Sequence, residues 1–301
     1  GFLNSLMGQT TGCAVVLHGG MGNQLFQWAY GHSLAAKGFK VNFVFYEKSY
    51  LLDHTRESLE KYLYNCEHGD FLGVKLSKNK LIRVLQDPTH PRNIKTKINK
   101  RLRNTLHEPF TILPGSRASE LYFGYFQNSS MVYKLADTII PELLFCLENR
   151  ELTKLEKQLE GSEVIHIRQG DTKTPKNLER VGVLDSLYYA NLPERRSTSR
   201  VVVTDDVLGA KAILGNQDVD GFYGPEQLDV ISSLRVMARS STLFTANSTL
   251  SWWGGVLAQS YGTSVYIPEP FFRNVNPVPG KAFNYPGFNR LPSFFLSPES
   301  N

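Results

Sequence analysis

The sequence lacks several features that would assign it to a structural class at once. None of its 301 residues lies in an apolar run near the ~18–20 residues of a membrane-spanning helix, so no stable membrane insertion is expected. With only 24 glycines and 15 prolines, the composition excludes collagen and low complexity, and 41% hydrophobic residues argue against disorder. These absences leave a globular chain with a sizeable core.

Cysteine is also scarce. The three cysteines, at positions 13, 66 and 146, are odd in number and share no C-x-x-C spacing. They are interpreted as buried thiols of a reducing compartment, and a metal site built on them is not expected. We therefore expect a cytoplasmic location, although the luminal domain of a truncated secretory-pathway enzyme would show the same pattern. Six residues precede Met7, and the native start is expected near it.

Charge of one sign is not in large excess. Lys plus Arg number 33 and Asp plus Glu 28, a net charge of +5. This balance suits an anionic small-molecule ligand better than nucleic acid, which is not expected as a partner. One basic stretch, residues 92–103, carries six Lys/Arg residues. It is interpreted as a solvated face, with contact to an acceptor or a surface as the alternative. No pattern indicates an oligomeric state.

The apolar pattern predicts an α/β fold. A strand at 13–17, a glycine turn, a helix at 24–37 and a strand at 41–46 form a βαβ unit. A further strand is predicted at 121–126 and a charged helix at 151–159. Short apolar strands separated by helical patterns then follow, which is typical of a parallel sheet covered on both faces. They are predicted at 164–167, 201–204, 243–246 and 265–267. The pattern restarts near residue 160, so we predict two Rossmann-like domains facing a cleft, residues 1–150 and 151–301.

The first polar cluster is the glycine turn at residues 18–24, HGGMGNQ. In open α/β sheets, ligands bind at the carboxyl ends of the strands. His18, Gly20, Gly22 and Asn23 follow the first predicted strand directly. Glycines allow close backbone approach, and the following helix offers free N–H groups to an anion. The turn fits neither G-x-G-x-x-G nor a Walker loop, so a tight turn without a ligand is the alternative.

The second cluster, HIRQGD, contains His166, Arg168 and Asp171. Strand alternation places His166 and Arg168 on one face, with Arg168 at the carboxyl end. The guanidinium fork suits phosphate oxygens and stays charged at any working pH. A buried structural pair between Arg168 and Asp171 is the alternative.

The third cluster, VVVTDD, places Thr204, Asp205 and Asp206 after a buried strand. Two adjacent carboxylates can accept hydrogen bonds from a ribose, from guanine N–H groups or from an acceptor hydroxyl. The alternative is a helix N-cap formed by Asp205. Metal binding is less expected, both by this pair and by the D-x-D of Asp218 and Asp220, which follows no predicted strand.

The fourth cluster, ANSTLSWWGG, contains Asn247, Ser248, Thr249 and Ser251 at the start of a small-residue helix. Hydroxyls and backbone N–H groups there could hold a second phosphate. The adjoining pair Trp252–Trp253 is interpreted as core or cleft wall rather than a stacking platform.

Taken together, four stretches resemble the motifs of the α-1,2-fucosyltransferases of glycosyltransferase family eleven. They are GGMGNQLFQWAYGHSLA, HIRQGD, VVVTDD and TANSTLSWWGGVLA, in this order, within residues 15–267. The resemblance implies a GT-B-type fold of two Rossmann-like domains. It also implies inverting transfer of L-fucose from GDP-β-L-fucose to a hydroxyl of a glycan acceptor, with an α-1,2 linkage to galactose expected. Neither a metal nor another cofactor would be required.

The same resemblance implies roles for individual residues. Arg168 would hold the donor diphosphate, and Asn23 would lie near the transferred sugar. The base is left open between Asp171, Asp205 and a carboxylate of the first half. The donor-binding set is completed by His18, Gly20, Gly22, His166, Thr204, Asp205, Asp206, Asn247, Ser248, Thr249 and Ser251.

The chain departs from the family pattern in two places. Gln169 stands where the family usually has a second arginine, and Phe271, Phe272 and Phe288 stand where tryptophans are usual. Two alternatives stay open, and the loss of one positive charge from the donor side is an argument for the first of them. One is transfer of a different sugar from a nucleotide diphosphate, and the other is a non-catalytic relative that binds a nucleotide or glycan.

Overall fold

The structure, a computed structural model, describes residues 12–17, 19–45, 119–122, 124–170, 174–274 and 283–298. The chain divides into two compact units, Gly1–Cys146 and Leu147–Asn301. The basic stretch at 92–103, His18, Asp171 and the residues before position 12 lie outside the described residues.

The first unit contains a parallel sheet with the strand order β2-β1-β3. Its elements are β1 (Gly12–Leu17), α1 (Met21–Ala36), β2 (Lys40–Phe45), β3 (Ser119–Tyr122) and α2 (Ser129–Glu148). Gly12 of β1 pairs with Lys40 on one side and Ser119 on the other. The predicted βαβ unit is therefore present, and β3 ends earlier than the strand predicted at 121–126.

Helix α1 forms because apolar side chains recur on its buried face. Leu25, Phe26 and Trp28 are fully buried, and Gly20 occupies the N-cap position. The helix ends at Ala36, after which Gly38 adopts a φ of +91° that a residue with a side chain rarely adopts. The predicted helix at 24–37 thus begins one turn earlier than the sequence indicated.

The second unit is built on a parallel six-stranded sheet with the order β6-β5-β4-β7-β8-β9. Its strands are β4 (Glu163–Ile167), β5 (Arg200–Thr204), β6 (Gly221–Tyr223), β7 (Thr242–Phe244), β8 (Ser264–Glu269) and β9 (Asn289–Pro292). Its helices are α3 (Lys154–Leu159), α4 (Pro175–Arg180), α5 (Ser186–Ala190), α6 (Val207–Leu214), α7 (Val230–Ala238) and α8 (Thr249–Ser260).

Both faces of the central strands are covered, which explains their continuous apolar sequences. Every residue of β4 and β5 is buried. One core cluster packs Ile165, Val202 and Phe244 against Tyr188 of α5 and Leu214 of α6. Trp252 and Trp253 of α8 are fully buried and meet edge to face at 5.4 Å. They were interpreted from the sequence as core or cleft wall, and the structure places them in the core.

A buried ion pair joins α3 to α7. The guanidinium of Arg235 donates to both carboxylate oxygens of Glu156, at 2.7 and 2.9 Å, and also to the carbonyls of Leu147 and Arg150. Glu156 accepts from the backbone N–H of Thr153, which completes a capping box at the start of α3. The helix predicted at 151–159 therefore begins only at Lys154.

Across the part of the chain that the structure covers, no helix combines the length and the apolar character needed to cross a membrane.

Candidate functional site

The sheet of the second unit changes its direction of winding at β4. From β4 the chain adds β5 and β6 on one side, then returns to the other side of β4 to add β7, β8 and β9. In open parallel sheets, ligands bind outside the carboxyl ends of the strands at such a switch point. Because β4 pairs in parallel with both β5 and β7, the turns after these three strands lie at one edge. Three of the four predicted clusters occupy these turns.

The turn after β4 is held by the carboxylate of Asp205. Its Oδ1 accepts from the backbone N–H of Gln169 at 2.8 Å, and its Oδ2 accepts from that of Gly170 at 2.9 Å. A Cβ atom on Gly170 would lie only 2.6 Å from Oδ2, so the close approach depends on glycine. Asp205 therefore fixes the backbone that follows Arg168.

Asp206 holds the neighbouring turn by capping α6. Its carboxylate accepts from the backbone N–H of Gly209 at 3.0 Å. The alternative that Asp205 forms this N-cap is wrong, because that carboxylate is engaged by the turn after β4. The hydroxyl of Thr204 accepts from the N–H of Asp206 at 3.1 Å, so both residues stabilise the carboxyl end of β5.

Gln169 is directed toward the start of α6 rather than into solvent. Its side chain is buried, and a Cβ atom added to Gly209 would meet its Oε1 and the carboxylate of Asp206. The side chain at this position thus packs between the turns after β4 and β5.

His166 and Arg168 lie at the carboxyl end of β4. Burial, together with the nearby charge of Arg168, lowers the pKa of His166 to about 3, so the imidazole is neutral at working pH. Its Nδ1 is buried and has no hydrogen-bond partner among the described residues. Arg168 is half-buried one residue beyond the strand. A neutral imidazole beside a fixed positive charge suits a polar anionic ligand.

The start of α8 supplies two more buried hydroxyls. Ser248 is the N-cap residue, yet its Oγ makes no capping bond and no other hydrogen bond within the described ranges. The Oγ of Thr245, directly after β7, is likewise buried without a partner there. Thr245 was missed by the sequence analysis, although it directly precedes the ANST turn. Unsatisfied buried hydroxyls at a helix N-terminus are the groups that a phosphate would satisfy.

Two predicted residues of this turn make hydrogen bonds within the fold. The hydroxyl of Ser251 is fully buried and donates to the carbonyls of Ala246 and Ser248, at 3.4 and 3.3 Å. The amide of Asn247 donates to the carbonyl of Gly182 at 2.9 Å, which ties the turn to the segment after α4. Thr249, the first helical residue, is half-buried beside Ser248.

The remaining cluster lies in the first unit, at the start of α1. Gly20 is partly exposed, Gly22 is buried, and the amide of Asn23 is half-buried. The Oδ1 of Asn23 accepts from Nε2 of Gln127 at 2.9 Å. Gln127, in the segment before α2, was also missed, because nothing in its local sequence relates it to the glycine turn.

Both carboxylates of the D-x-D pair form salt bridges with an arginine. Asp218 and Asp220 both pair with Arg195, at 3.1 and 2.5 Å. Within the described ranges, no group of three or more His, Cys, Asp or Glu side chains is arranged to hold a metal ion.

The second unit is thus an α/β structure with a parallel six-stranded sheet and a polar site at its winding switch. Over 289 residues the chain is 26% identical to the O-antigen biosynthesis glycosyltransferase WbnK of Escherichia coli. The alignment covers 86% of this chain and 95% of that protein. No family model matches the chain.

Similarity to solved structures is weak. A structure of the α-1,6-fucosyltransferase NodZ, soaked with GDP-fucose, superposes on this chain with a TM-score of 0.43 and 11% identity. NodZ structures include that of the Bradyrhizobium protein. The superposition covers 83% of this chain and 93% of that one. POFUT1 in complex with GDP-fucose gives a TM-score of 0.32 at 10% identity, covering 95% and 98%. Similarity at this level does not establish a common fold.

Proposed function

We propose that the protein is an inverting glycosyltransferase that moves L-fucose from GDP-β-L-fucose to a hydroxyl of a glycan acceptor, with an α-1,2 linkage to galactose. In this proposal the second unit is the Rossmann-like donor domain of a GT-B-type enzyme, and the first unit serves the acceptor. The similarity to an O-antigen glycosyltransferase over most of both chains supports the reaction class. The order of the four motifs supports fucose as the sugar. The odd number of cysteines and the absence of C-x-x-C spacing support a cytoplasmic location.

The observation that carries the proposal is the polar edge formed by the turns after β4 and β7. Arg168 supplies a fixed charge at the end of β4. Helix α8 follows the neighbouring strand β7 and offers the N–H groups of its first turn and the buried hydroxyls of Ser248 and Thr245. A nucleoside diphosphate offers the oxygens that would satisfy these donors. Asn247, Ser251 and Asp206 hold the turns in place, and His166 would contact the nucleotide as a neutral imidazole.

The proposed mechanism follows from where negative charge develops during transfer of the sugar. As the bond from the fucose anomeric carbon to the diphosphate breaks, negative charge grows on the leaving oxygen. Arg168 and the N–H groups at the start of α8 would stabilise that charge without a metal. Asp205 is a poor base because both its oxygens accept from backbone N–H groups. The proton of the acceptor hydroxyl would therefore pass to Asp171 or to a carboxylate of the first unit.

Substitution of Arg168 tests this role. We expect R168A to lower kcat by about 10²–10³-fold, because one preorganised charge donor is lost, and R168K to fail as well, because lysine lacks the fork. R195A is the matched control, since Arg195 pairs with Asp218 and Asp220 away from this edge. A loss of less than about tenfold in R168A would exclude the leaving-group role.

Transfer of a different sugar from a nucleotide diphosphate is the second candidate, and Gln169 favours it. An arginine at this position would add a charge beside Asp206, and the chain has a neutral amide there instead. If another donor is preferred, Q169R is the variant expected to shift preference toward GDP-fucose. Nucleotide binding with neither hydrolysis nor transfer would instead indicate a non-catalytic relative.

A further inference from the structure

Two amide side chains of the first unit form a hydrogen bond that fixes their orientation. Nε2 of Gln127 donates to Oδ1 of Asn23 at 2.9 Å. Gln127 is 4% exposed, whereas Asn23, the third residue of α1, is only half-buried. Because the oxygen of Asn23 is engaged from the interior, its Nδ2 is the group left for a ligand. That nitrogen has no hydrogen-bond partner among the described residues.

The backbone that carries Gln127 is held from several sides. Phe126 has a φ of 51°, a conformation that is unfavourable for a residue with a side chain. Its ring is buried and stacks on Tyr30 with ring centroids 3.9 Å apart. Nε2 of Gln27 donates to the carbonyl of Gly124 at 2.9 Å. Strained conformations of this kind persist where the surroundings impose them, and they cluster at functional sites.

The side chain of Gln127 has an energetic cost for the fold. Its Oε1 is buried and accepts no hydrogen bond from the described residues. An unsatisfied buried amide oxygen is unfavourable, and an apolar side chain of similar size would avoid it. The benefit of glutamine at this position is therefore the hydrogen bond to Asn23.

The glycine turn lies on the other side of the Asn23 amide. A Cβ atom on Gly19 would lie 3.5 Å from Nδ2 of Asn23 and 3.6 Å from the ring of Tyr125. Nε2 of Gln24 donates to the carbonyl of Gly19 at 2.8 Å, which fixes the turn against α1. The amide nitrogen is thus held at the glycine turn in a defined orientation.

We propose that Gln127 is a positioning residue that orients Asn23 so that its amide N–H donates to a hydroxyl oxygen of the sugar substrate. Asn23 then acts as a hydrogen-bond donor to the sugar and takes no part in removing the proton from the acceptor. This inference rests on the proposed transferase function. It adds a residue, Gln127, and an orientation of Asn23 to that function.

Two isosteric substitutions test the orientation. In N23D the carboxylate still accepts from Gln127 but offers no N–H to the sugar. In Q127E the ionised carboxylate only accepts, so the Asn23 amide must turn and present its oxygen instead. We expect both to lower kcat/KM by about tenfold or more, while GDP binding measured by calorimetry stays unchanged.

The pH profile of Q127E separates positioning from a merely structural role. Once protonated, the introduced carboxyl donates to Asn23 as Gln127 does. The activity of Q127E relative to wild type should therefore rise as the pH is lowered, and that of Q127M should not. Q158E, at an exposed glutamine of α3, is the matched control for the added charge.

The outcomes distinguish this inference from the proposed function. A wild-type protein that neither binds nor turns over GDP-fucose overturns the function. With an active wild type, full activity in Q127E, or a loss that low pH does not reverse, overturns the positioning role. If Q127E does not fold, N23D decides: activity within threefold of wild type, with GDP bound normally, contradicts the inference.

Discussion

At the scale of single residues, the neighbours Gly19 and Gly20 differ in whether the backbone conformation requires a glycine. Gly20 has an ordinary negative φ of −70°, and a Cβ atom built on it meets nothing within 4 Å. Gly19 beside it has a φ of +80°, which disfavours any side chain. The fold therefore requires glycine at position 19 but not at position 20, where we propose that glycine serves the close approach of a ligand.

The substitution G20A should lower the melting temperature less than G19A does, since it costs only a favoured N-cap residue, and lower donor or acceptor turnover by about tenfold or more. The reason is that an added methyl group fits the free protein and clashes only with a molecule bound against the turn. Thermal unfolding and steady-state kinetics check the two halves of this prediction. G19A is the matched variant and should lose more stability. Full activity in G20A would show that the turn contacts no ligand.

The residues of the site show what a sequence can and cannot predict. The position of Arg168, Asp206 and Ser248 at strand ends follows from the apolar pattern. Which of the polar groups are engaged within the fold does not, because that depends on contacts between turns distant in sequence. Asp205 holds the backbone of residues 169–170, and Gln127 reaches Asn23 across 104 positions.

At the scale of elements, the position of α8 depends on two small residues. A Cβ atom on Gly254 would lie 2.9 Å from Cβ of Met237 in α7. A Cβ atom on Gly255 would lie 2.8 Å from Cγ1 of Val265 in β8 and 3.0 Å from the ring of Phe288. Glycine thus lets α8 approach its neighbours closely, and this approach sets where its N-terminus lies relative to β4.

We expect G255A to reduce the free energy of unfolding by about 1–3 kcal/mol, because the added methyl group overpacks the contact with β8. Denaturant unfolding measures this change, and G20A is the control because its Cβ lies in open space. Donor affinity should fall in parallel, since the start of α8 is displaced. Unchanged stability would mean that α8 and β8 leave room for the added methyl group.

Helices α1 and α2 are linked by a buried pair that responds to pH. Nε2 of His32 lies 3.6 Å from Oε2 of Glu142. Burial lowers the pKa of His32 to about 4 and raises the pKa of Glu142 to about 7. His32 therefore destabilises the fold as the pH falls from 6.5 toward 4, and Glu142 does so as the pH rises from 4.5 toward 7. In the wild type the two effects of pH on the free energy of unfolding therefore oppose each other.

Substituting one partner should leave only the other partner's effect of pH on stability. Relative to wild type, the melting temperature of H32Q should improve progressively as the pH falls below 6.5, and that of E142Q as the pH rises above 4.5. Thermal unfolding of the full chain across pH 4–7 measures both difference curves. Two parallel, pH-independent offsets would contradict this account, because they would show that the pKa of neither group differs between the folded and the unfolded state.

The elements that were not predicted from the sequence were missed for two different physical reasons. Strands β6 and β9 are the edge strands of the sheet, and their partly exposed residues lack a continuous apolar run. Helix α2 contains Pro141, a residue that normally ends a helix, within a stretch of mixed polarity. The central strands β4 and β5, buried on both faces, were predicted to within one residue.

At the scale of the whole molecule, the account assigns the donor to one unit and the acceptor to the other. In the proposed function the parallel six-stranded sheet supplies the donor-binding edge at its winding switch, and the excess of basic residues suits a substrate with a diphosphate. The similarity to a bacterial glycosyltransferase extends over 86% of the chain, so it includes both units. In this proposal, Gln169 and Asn23 are the residues that bear most on which sugar is transferred.

The most direct test is a panel of GDP- and UDP-sugars, measured by calorimetry and by donor hydrolysis, with Mg²⁺ and with EDTA. The account predicts that GDP-fucose binds more tightly than the other donors and turns over at the same rate in EDTA. Preference for a UDP-sugar, turnover only with Mg²⁺, or binding of GDP-fucose without hydrolysis or transfer would contradict it.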